Sequence, residues 1–382
     1  MKNEQYRQTA IIKRSKRVTI KRIRMMKGAF FEHIPHYTVG LGSELGKRAS
    51  IDVFFNLSSN SYNVPNCSSK RVPLEYPSYR RPMSYINILK QVTILRSYDI
   101  IHVNSSKQGI GAAISKKLYG KPFIYTNHGI PRLDFPESRK VDEKEYKLLP
   151  RIAKASSAFV TISKFVQKAI FQEHGVKAQV IYHGVDFSRF NAEVSPDRIR
   201  TKYGLDGKVI LSVMRLHPHK DPFTLLDAFY NLLKKQRVFL LLIGSGPLEY
   251  KLKRFVEKKG FSEFIRFIPY VEWNDINQYY ASADVVVLPS IDEGFGMTVV
   301  EGMACRKVPL VANSGALPEV VGNDELLFEP RNSGELCDKL YQMISDDDRR
   351  SELSLMAQER TKTLFRWDLA AEKYLQLYSK YT

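Results

Sequence analysis

The stretch Ser290-Ile-Asp-Glu-Gly-Phe-Gly-Met-Thr-Val-Val-Glu301 decides the predicted fold of this chain. The segment Ala283-Asp-Val-Val-Val-Leu-Pro289, whose apolar run 285–288 is typical of a buried parallel strand, comes directly before it. The turn Gly294-Phe-Gly296 then leads into a helix-like apolar run that begins at Met297. A strand, a glycine-rich turn and a helix start in this order place backbone N–H groups at a helix N-terminus, where an anion can bind.

Two carboxylates flank this turn. We expect Glu293 in the loop and Glu301, eight positions later, in the early turns of the helix. Both side chains can therefore face one ligand. Because N–H groups suit a phosphate and carboxylates suit hydroxyl groups, the segment favours a diphosphate joined to hydroxyl-rich sugars.

The length and composition predict a globular protein of two domains. The chain has 382 residues, more than one ordinary hydrophobic core holds, and 43% of them are hydrophobic. The three cysteines have no metal-ligand spacing and fit a reducing compartment. The sequence shows no signal peptide and no apolar run of about 18 residues. We therefore expect a cytoplasmic protein.

The formal net charge of +19 is divided unevenly. Residues 1–200 hold 35 Lys and Arg against 15 Asp and Glu, which gives +20, and the remaining 24 against 25 give −1. A basic half attracts polyanions or an anionic membrane leaflet. We expect the first domain to dock peripherally on the cytosolic face of a membrane. A solvated basic surface is the alternative, and nucleic acid is the least favoured partner.

Both halves alternate strand-like and helix-like segments, which predicts an α/β fold with parallel sheets. In the first half, strands are predicted at 51–55, 99–103, 122–126 and 158–162. The segment 17–26 is the predicted first strand, although it is unusually charged for a buried one. The second half shows the same alternation from residue 208 onward. A cleft between the two halves is the expected ligand site.

A cationic loop follows the first strand of the second half. In Met214-Arg-Leu-His-Pro-His-Lys220, the side chains of Arg215 and Lys220 can approach the same anion. A forked guanidinium and a compact ammonium together suit a diphosphate. Two surface cations near a turn are the alternative for this loop taken alone. The Glu293 segment in the same half favours the diphosphate-binding role.

Two further strand ends carry candidate ligand contacts. Gly244 follows a strand, and it either lets a ligand approach the backbone or only opens a helix. His128 follows the strand at 122–126 and is a candidate contact for a sugar or phosphate. Open α/β sheets bind ligands at the carboxyl ends of their strands, which supports this role. A purely structural histidine is the alternative.

Several other classes of site are excluded. Gly109-Ile-Gly111-Ala-Ala-Ile114 half-matches a dinucleotide fingerprint, but Ile114 replaces its final small residue and no acid ends the next strand to hold a ribose. The chain has neither a P-loop nor a His/Cys cluster with metal-ligand spacing. We expect no metal, and no cofactor besides the donor substrate.

Taken together, these segments resemble the retaining glycosyltransferases of family 4, which have the GT-B fold of two Rossmann-like domains facing across a cleft. The likeness is nearly continuous from Asp99 to Trp367. Its strongest part is Glu293 with seven residues before Glu301. The order and spacing of five further segments add to it: Thr126-Asn-His-Gly129, His183-Gly-Val-Asp186, Gly244-Ser-Gly-Pro247, Gly315-Ala-Leu-Pro-Glu319 and Phe365-Arg-Trp-Asp368.

The resemblance implies a retaining hexosyltransferase that uses a nucleotide-sugar donor. Arg215 and Lys220 would hold the donor diphosphate in place of a metal. Glu301 would accept hydrogen bonds from the ribose, Glu293 would orient the donor sugar, and His128, from the other domain, would touch that sugar. The rest of the donor site would be formed by Gly244, Gly294 and the backbone N–H groups of Phe295, Gly296 and Met297. The departing phosphate would help to deprotonate the acceptor hydroxyl.

The resemblance also implies the role of each domain. Residues 1–204 would bind the acceptor, residues 205–364 the nucleotide sugar, and 365–382 would form a helix that crosses back to the first domain. The family's Gly-Gly loop after its first strand is reduced here to Gly28, the acceptor-side candidate. We expect a lipid or lipid-linked glycan as acceptor. The alternatives are a soluble acceptor such as a sugar phosphate and, in another class, an inactive polyanion-binding protein.

Overall fold

The computed structural model describes residues 26–31, 35–56, 63–72, 83–129 and 139–382. The chain forms two compact units. Unit 1 comprises Met1–Ile162, Val166–Gly184 and Trp367–Thr382, and unit 2 comprises Ser163–Phe165 and Val185–Arg366. The chain passes into unit 2 after Gly184, which is earlier than the predicted boundary after residue 204.

Unit 1 is built on a parallel sheet with α-helices between its strands. The strands are β1 (Lys27–Phe31), β2 (Ser50–Asn56), β3 (Ser68–Val72), β4 (Ile100–Val103), β5 (Phe123–Asn127), β6 (Ala158–Thr161) and β7 (Gln179–Val180). The helices are α1 (Pro35–Gly46), α2 (Met83–Leu95), α3 (Ser106–Tyr119), α4 (Arg139–Ala155) and α5 (Lys164–His174).

The described strands of unit 1 lie in the order β3-β2-β1-β4-β5-β6-β7. The first strand was expected at 17–26, of which 17–25 lie outside the described residues, and β1 begins at Lys27. Gly28 is therefore inside a strand, paired with Ile51 and Ile100, and not in a loop after it. A Cβ atom at Gly28 would come within 2.8 Å of Ile51 Cδ1, so packing accounts for this glycine.

Unit 2 repeats the alternation of strands and helices. Its strands are β8 (Lys208–Val213), β9 (Val238–Ile243), β10 (Ile265–Ile268), β11 (Val285–Leu288), β12 (Val308–Ala312) and β13 (Leu327–Phe328). Its α-helices are α6 (Asp197–Tyr203), α7 (Pro222–Leu233), α8 (Glu249–Lys259), α9 (Ile276–Ser282), α10 (Met297–Ala304), α11 (Leu317–Val321), α12 (Ser333–Ser345) and α13 (Asp347–Leu364).

The parallel sheet of unit 2 has the strand order β10-β9-β8-β11-β12-β13. From β8 the chain proceeds outward through β9 to β10, and it then returns to the other side of β8 to form β11, β12 and β13. The direction of strand addition therefore reverses between β8 and β11. Crevices that bind ligands open at such reversal points, outside the carboxyl ends of the strands. This topology places the loops after β8 and β11 next to each other.

The last helix of the chain, α14 (Trp367–Tyr378), belongs to unit 1. The Trp367 indole packs edge-on against Tyr37 of α1, with ring centroids 5.6 Å apart. Farther along α14, the Tyr378 hydroxyl lies 2.5 Å from His102 Nδ1, and the Tyr374 hydroxyl lies 2.8 Å from Thr126 Oγ1. Ring packing thus holds α14 against α1, and buried hydrogen bonds hold it on β4 and β5.

Candidate active site

The structure brings together two of the predicted site residues, Lys220 and Glu293. Lys220 ends a short 3-10 helix, Pro218–Lys220, in the loop after β8, and Glu293 lies in the loop after β11. The Lys220 ammonium donates a short hydrogen bond to the Glu293 carboxylate. Their side chains are only 14% and 18% exposed, so this ion pair is largely shielded from water.

Backbone hydrogen bonds fix the two loops against each other. The carbonyl oxygen of His219 accepts from the Ile291 N–H at 3.0 Å and from Ser290 Oγ at 3.3 Å. Each bond joins the residue before Lys220 to the segment just before Glu293. The charged side chains therefore meet because the backbones that carry them are bonded.

A third loop, the one after β12, supports Glu293 from its backbone side. The N–H of Ala316 donates to the carbonyl oxygen of Glu293 at 2.8 Å. Gly315 has a φ of +62°, and a Cβ atom there would lie 2.5 Å from the Glu293 carbonyl oxygen. Only glycine permits this approach without displacing Glu293.

The residues between Glu293 and α10 form the predicted turn and helix start. Gly296 is the N-cap of α10, Phe295 is buried against the ring of Phe365 at 5.4 Å, and the Gly294 carbonyl oxygen accepts from Ser163 Oγ at 2.8 Å. The first amides of a helix, here from Met297, have no acceptor within the helix and carry its positive dipole end. The arrangement suits an anion beside Lys220.

Arg215 lies two residues beyond β8, in the same loop as Lys220, and its side chain is exposed. Gly244, after β9, packs against this loop. Its N–H donates to the Ile268 carbonyl oxygen at 2.8 Å. With φ +134°, Gly244 packs so closely that a Cβ atom would lie 1.9 Å from the Met214 carbonyl oxygen. Gly244 therefore shapes the loop that carries Arg215.

Glu301 is buried inside α10, with 5% of its surface exposed. The Tyr280 hydroxyl donates to its Oε2 atom at 2.7 Å. Burial raises the pKa of Glu301 to about 7, although the bond from Tyr280 and the positive charge of Arg189 both lower that pKa. Near neutral pH, part of the protein population therefore has this carboxyl group protonated and part has it ionised.

The predicted contact His128 lies in unit 1, directly after β5. Its Nε2 atom is 3.1 Å from Asn104 Oδ1, and its Nδ1 atom is 3.1 Å from His183 Nε2. The amide oxygen of Asn104 only accepts, so Nε2 of His128 carries a proton, and in the neutral imidazole Nδ1 accepts from His183. Tyr37 packs edge-on against the His128 ring at 4.5 Å.

Sequence analysis missed Tyr280, Asn104 and His183 as partners of the candidate residues. Tyr280 precedes Glu301 by 21 positions and lies on another helix, and His183 follows His128 by 55. No local pattern reports such pairings.

Among the described residues, no group of three or more His, Cys, Asp or Glu side chains could hold a metal ion. None of the helices in the described ranges combines the length and apolar character that a bilayer crossing needs.

Comparison with known proteins assigns both parts of the chain. Residues 36–189 match the model of "Glycosyltransferase Family 4", and residues 196–360 match the model of "Glycosyl transferases group 1". The chain belongs to glycosyltransferase family 4. The resemblance seen in the Glu293–Glu301 segment is thereby confirmed.

Individual relatives and solved structures agree with this assignment. An uncharacterized glycosyltransferase of Methanocaldococcus jannaschii is 29% identical over 75% of this chain and 78% of its own length. The D-inositol 3-phosphate glycosyltransferase of Xylanimonas cellulosilytica is 27% identical over 75% and 72%. The crystal structure of Anabaena HepE in complex with UDP-glucose has a TM-score of 0.76 at 22% identity and covers 93% of this chain and 100% of that one. The predicted GT-B class of fold is confirmed.

Proposed function

We propose that this glycosyltransferase moves a hexose from a nucleotide-diphosphate sugar to an acceptor hydroxyl with retention of anomeric configuration. The observation that carries the proposal is the ion pair of Lys220 and Glu293, which lies at the point where the unit 2 sheet reverses its direction of strand addition. One cation for phosphate and one carboxylate for sugar hydroxyls are side by side there. Arg215 and the N-terminus of α10 add further groups that bind anions.

In this proposal Lys220 and Arg215 hold the diphosphate and stabilise the charge that develops as it leaves. The Lys220 ammonium has three N–H groups, and Glu293 occupies one of them. Glu293 orients the donor sugar. Glu301, whose Oε2 atom already accepts from Tyr280, accepts a further hydrogen bond from the ribose. The proposal also keeps the predicted contact of His128 with the donor sugar.

The proposed reaction needs no group besides donor, acceptor and protein. The bond between the anomeric carbon and the diphosphate oxygen breaks, and the bond to the acceptor oxygen forms on the same face of the sugar. The acceptor proton passes to the departing phosphate. The nucleoside diphosphate leaves with both electrons of the broken bond, and Lys220 and Arg215 stabilise its charge.

Similar proteins support a nucleotide sugar as the donor, and two classes of acceptor are compatible with the observations. HepE structures contain UDP, glucose or UDP-glucose, which supports a nucleotide-sugar donor. The basic excess of residues 1–200 supports a lipid or lipid-linked glycan held at an anionic membrane. The names of the inositol-phosphate relatives favour a second candidate, a soluble phosphorylated acceptor.

The test measures donor hydrolysis and transfer with a panel of radiolabelled nucleotide sugars and both acceptor classes. Lys220→Ala and Glu293→Gln should each lower turnover about 100- to 1,000-fold, as the loss of one charge-stabilising group does in other enzymes. Lys235→Ala, which removes an exposed ion pair with Asp338, is the control and should retain activity. Wild-type turnover in both site variants would refute the site, and an inverted anomeric product would refute retention.

A further inference from the structure

Helix α2 of unit 1 has one buried face and one exposed face. Its buried residues Ile88, Gln91, Val92 and Leu95 recur at helical spacing and pack inward. The rest of its surface carries four large apolar side chains that are open to solvent: Tyr85 (51% exposed), Ile86 (44%), Leu89 (61%) and Ile94 (37%). Tyr85, Ile86 and Leu89 lie on one side of the helix, within about 100° of one another, and Ile94 lies farther around it.

Such a concentration is unusual within this chain. In the described ranges, no other helix has more than two exposed large apolar side chains. Single exposed apolar residues are ordinary on protein surfaces, whereas a cluster marks a surface that contacts a partner. The exposed face of α2 is therefore a candidate contact surface.

The charged residues of α2 and of its neighbour α3 are all cations. Lys90 and Arg96 are exposed in and just after α2. Helix α3 packs beside α2, since a Cβ atom at Gly111 would lie 2.3 Å from Gln91 Oε1, and α3 adds the exposed Lys117. Neither helix contains an aspartate or glutamate.

These features fit an anionic bilayer better than another protein surface. Apolar side chains enter the boundary between headgroups and acyl chains, while ammonium and guanidinium groups remain with the lipid phosphates. A symmetric contact between two copies of α2 would instead bring the same cations of each copy together. The charge pattern therefore favours the membrane as occupant.

We propose that the side of α2 that carries Tyr85, Ile86 and Leu89, with Lys90 and Arg96 beside them, docks on the surface of an anionic membrane. The helix would lie in the plane of the interface. This inference deepens the proposed function, because it rests on the lipid acceptor proposed above and names the surface that would reach it.

The test is co-sedimentation of the full chain with vesicles of phosphatidylcholine alone or mixed with phosphatidylglycerol. Wild-type protein should bind the mixed vesicles and bind less as salt rises, since salt screens the charges. Leu89→Glu should lower binding at least about tenfold, because it puts a carboxylate where an apolar side chain enters the interface. Lys90→Glu should lower it mainly at low salt.

Leu355→Glu on α13 is the matched control, because Leu355 is 47% exposed and lies in unit 2. It should bind vesicles like the wild type. Equal binding of the Leu89→Glu variant and the wild type, or no binding by the wild type, would refute the proposal. So would a change in oligomeric state caused by Leu89→Glu, measured by light scattering, since it would assign the face to a second copy.

Donor hydrolysis in vesicle-free buffer separates this inference from the proposed function. The Leu89→Glu variant should hydrolyse donor at the wild-type rate, because α2 is in unit 1 and Lys220 and Glu293 are in unit 2. A protein that binds vesicles through α2 but hydrolyses no donor would refute the enzyme and retain the docking surface. A protein that hydrolyses donor but does not bind vesicles would refute the docking surface and retain the enzyme.

Discussion

Units 1 and 2 are both parallel α/β units, and they place their polar side chains differently. In unit 1, His102 of β4 and Thr126 of β5 are buried and bond to tyrosine hydroxyls of α14. In unit 2, β9 and β11 are buried throughout and contain only apolar residues. The charged residues of the candidate site, Lys220 and Glu293, follow the strands in loops. Two central strands of unit 2 are thus wholly apolar, whereas β4 and β5 of unit 1 carry buried polar groups that hold a helix.

The two units also bury titratable groups of opposite kind. Burial lowers the pKa of His102 to about 3 and raises the pKa of Glu301 to about 7. In both cases the folded protein favours the neutral form. The effects of pH on the free energy of unfolding are therefore opposite. The contribution of the neutral imidazole falls as pH falls, and the contribution of the neutral carboxyl group falls as pH rises. Substitutions in each unit can therefore test the comparison.

The largest expected effect concerns His102. The unfolded chain protonates this group at its ordinary pKa of 6.5, but the folded chain resists protonation down to about pH 3. The contribution to the free energy of unfolding is therefore complete above pH 6.5 and falls by roughly 4 kcal/mol toward pH 3. His102→Gln should flatten this fall in urea titrations. Thr361→Val in unit 2, which removes a buried hydrogen bond to the Ala357 carbonyl oxygen but no titrating group, should lower stability without changing the slope.

Glu301 should give the next largest effect, with the opposite sign. Its ordinary pKa of 4.5 applies to the unfolded chain, and the folded value is about 7. Stability from this group is complete below pH 4.5 and falls by about 3 kcal/mol as pH rises past 7. Glu301→Gln should remove that fall. Tyr280→Phe removes a bond that lowers the Glu301 pKa, so it should extend the fall to higher pH. Variants with the wild-type pH profile would contradict the assignment.

A pair of glycines compares close packing in the two units. Gly244→Ala in unit 2 should cost about 3 kcal/mol, because its Cβ would overlap the Met214 carbonyl and its φ of +134° is nearly restricted to glycine. Gly120→Ala in unit 1 should cost only about 1 kcal/mol, since its φ is +67° and no atom lies within 4 Å of the new Cβ. Thermal unfolding of both variants measures the difference. Equal losses would contradict both the steric overlap and the greater backbone strain assigned to Gly244.

Local sequence patterns predicted unit 2 better than unit 1. The apolar runs of β9 and β11, the turn before α10 and the cationic loop after β8 are all continuous in sequence, and each lies where it was predicted. In unit 1, β3 was missed because its sequence, Ser-Ser-Lys-Arg-Val, belongs to a polar strand at the sheet edge. Helix α4 was missed as well, and it contains Pro150, a residue that usually ends a helix.

The sequence by itself determined the class of fold, the alternation of strands and helices in each half and the family of the protein. Those properties depend on hydrophobic periodicity, glycine turns and the spacing of Glu293 and Glu301, which a short window of residues contains. Only the tertiary structure decided that Lys220 meets Glu293, that Tyr280 bonds to Glu301, and that Gly28 lies inside a strand. These contacts join residues far apart in the chain, and they are set by which strands become neighbours in the sheet, a choice that no local pattern records.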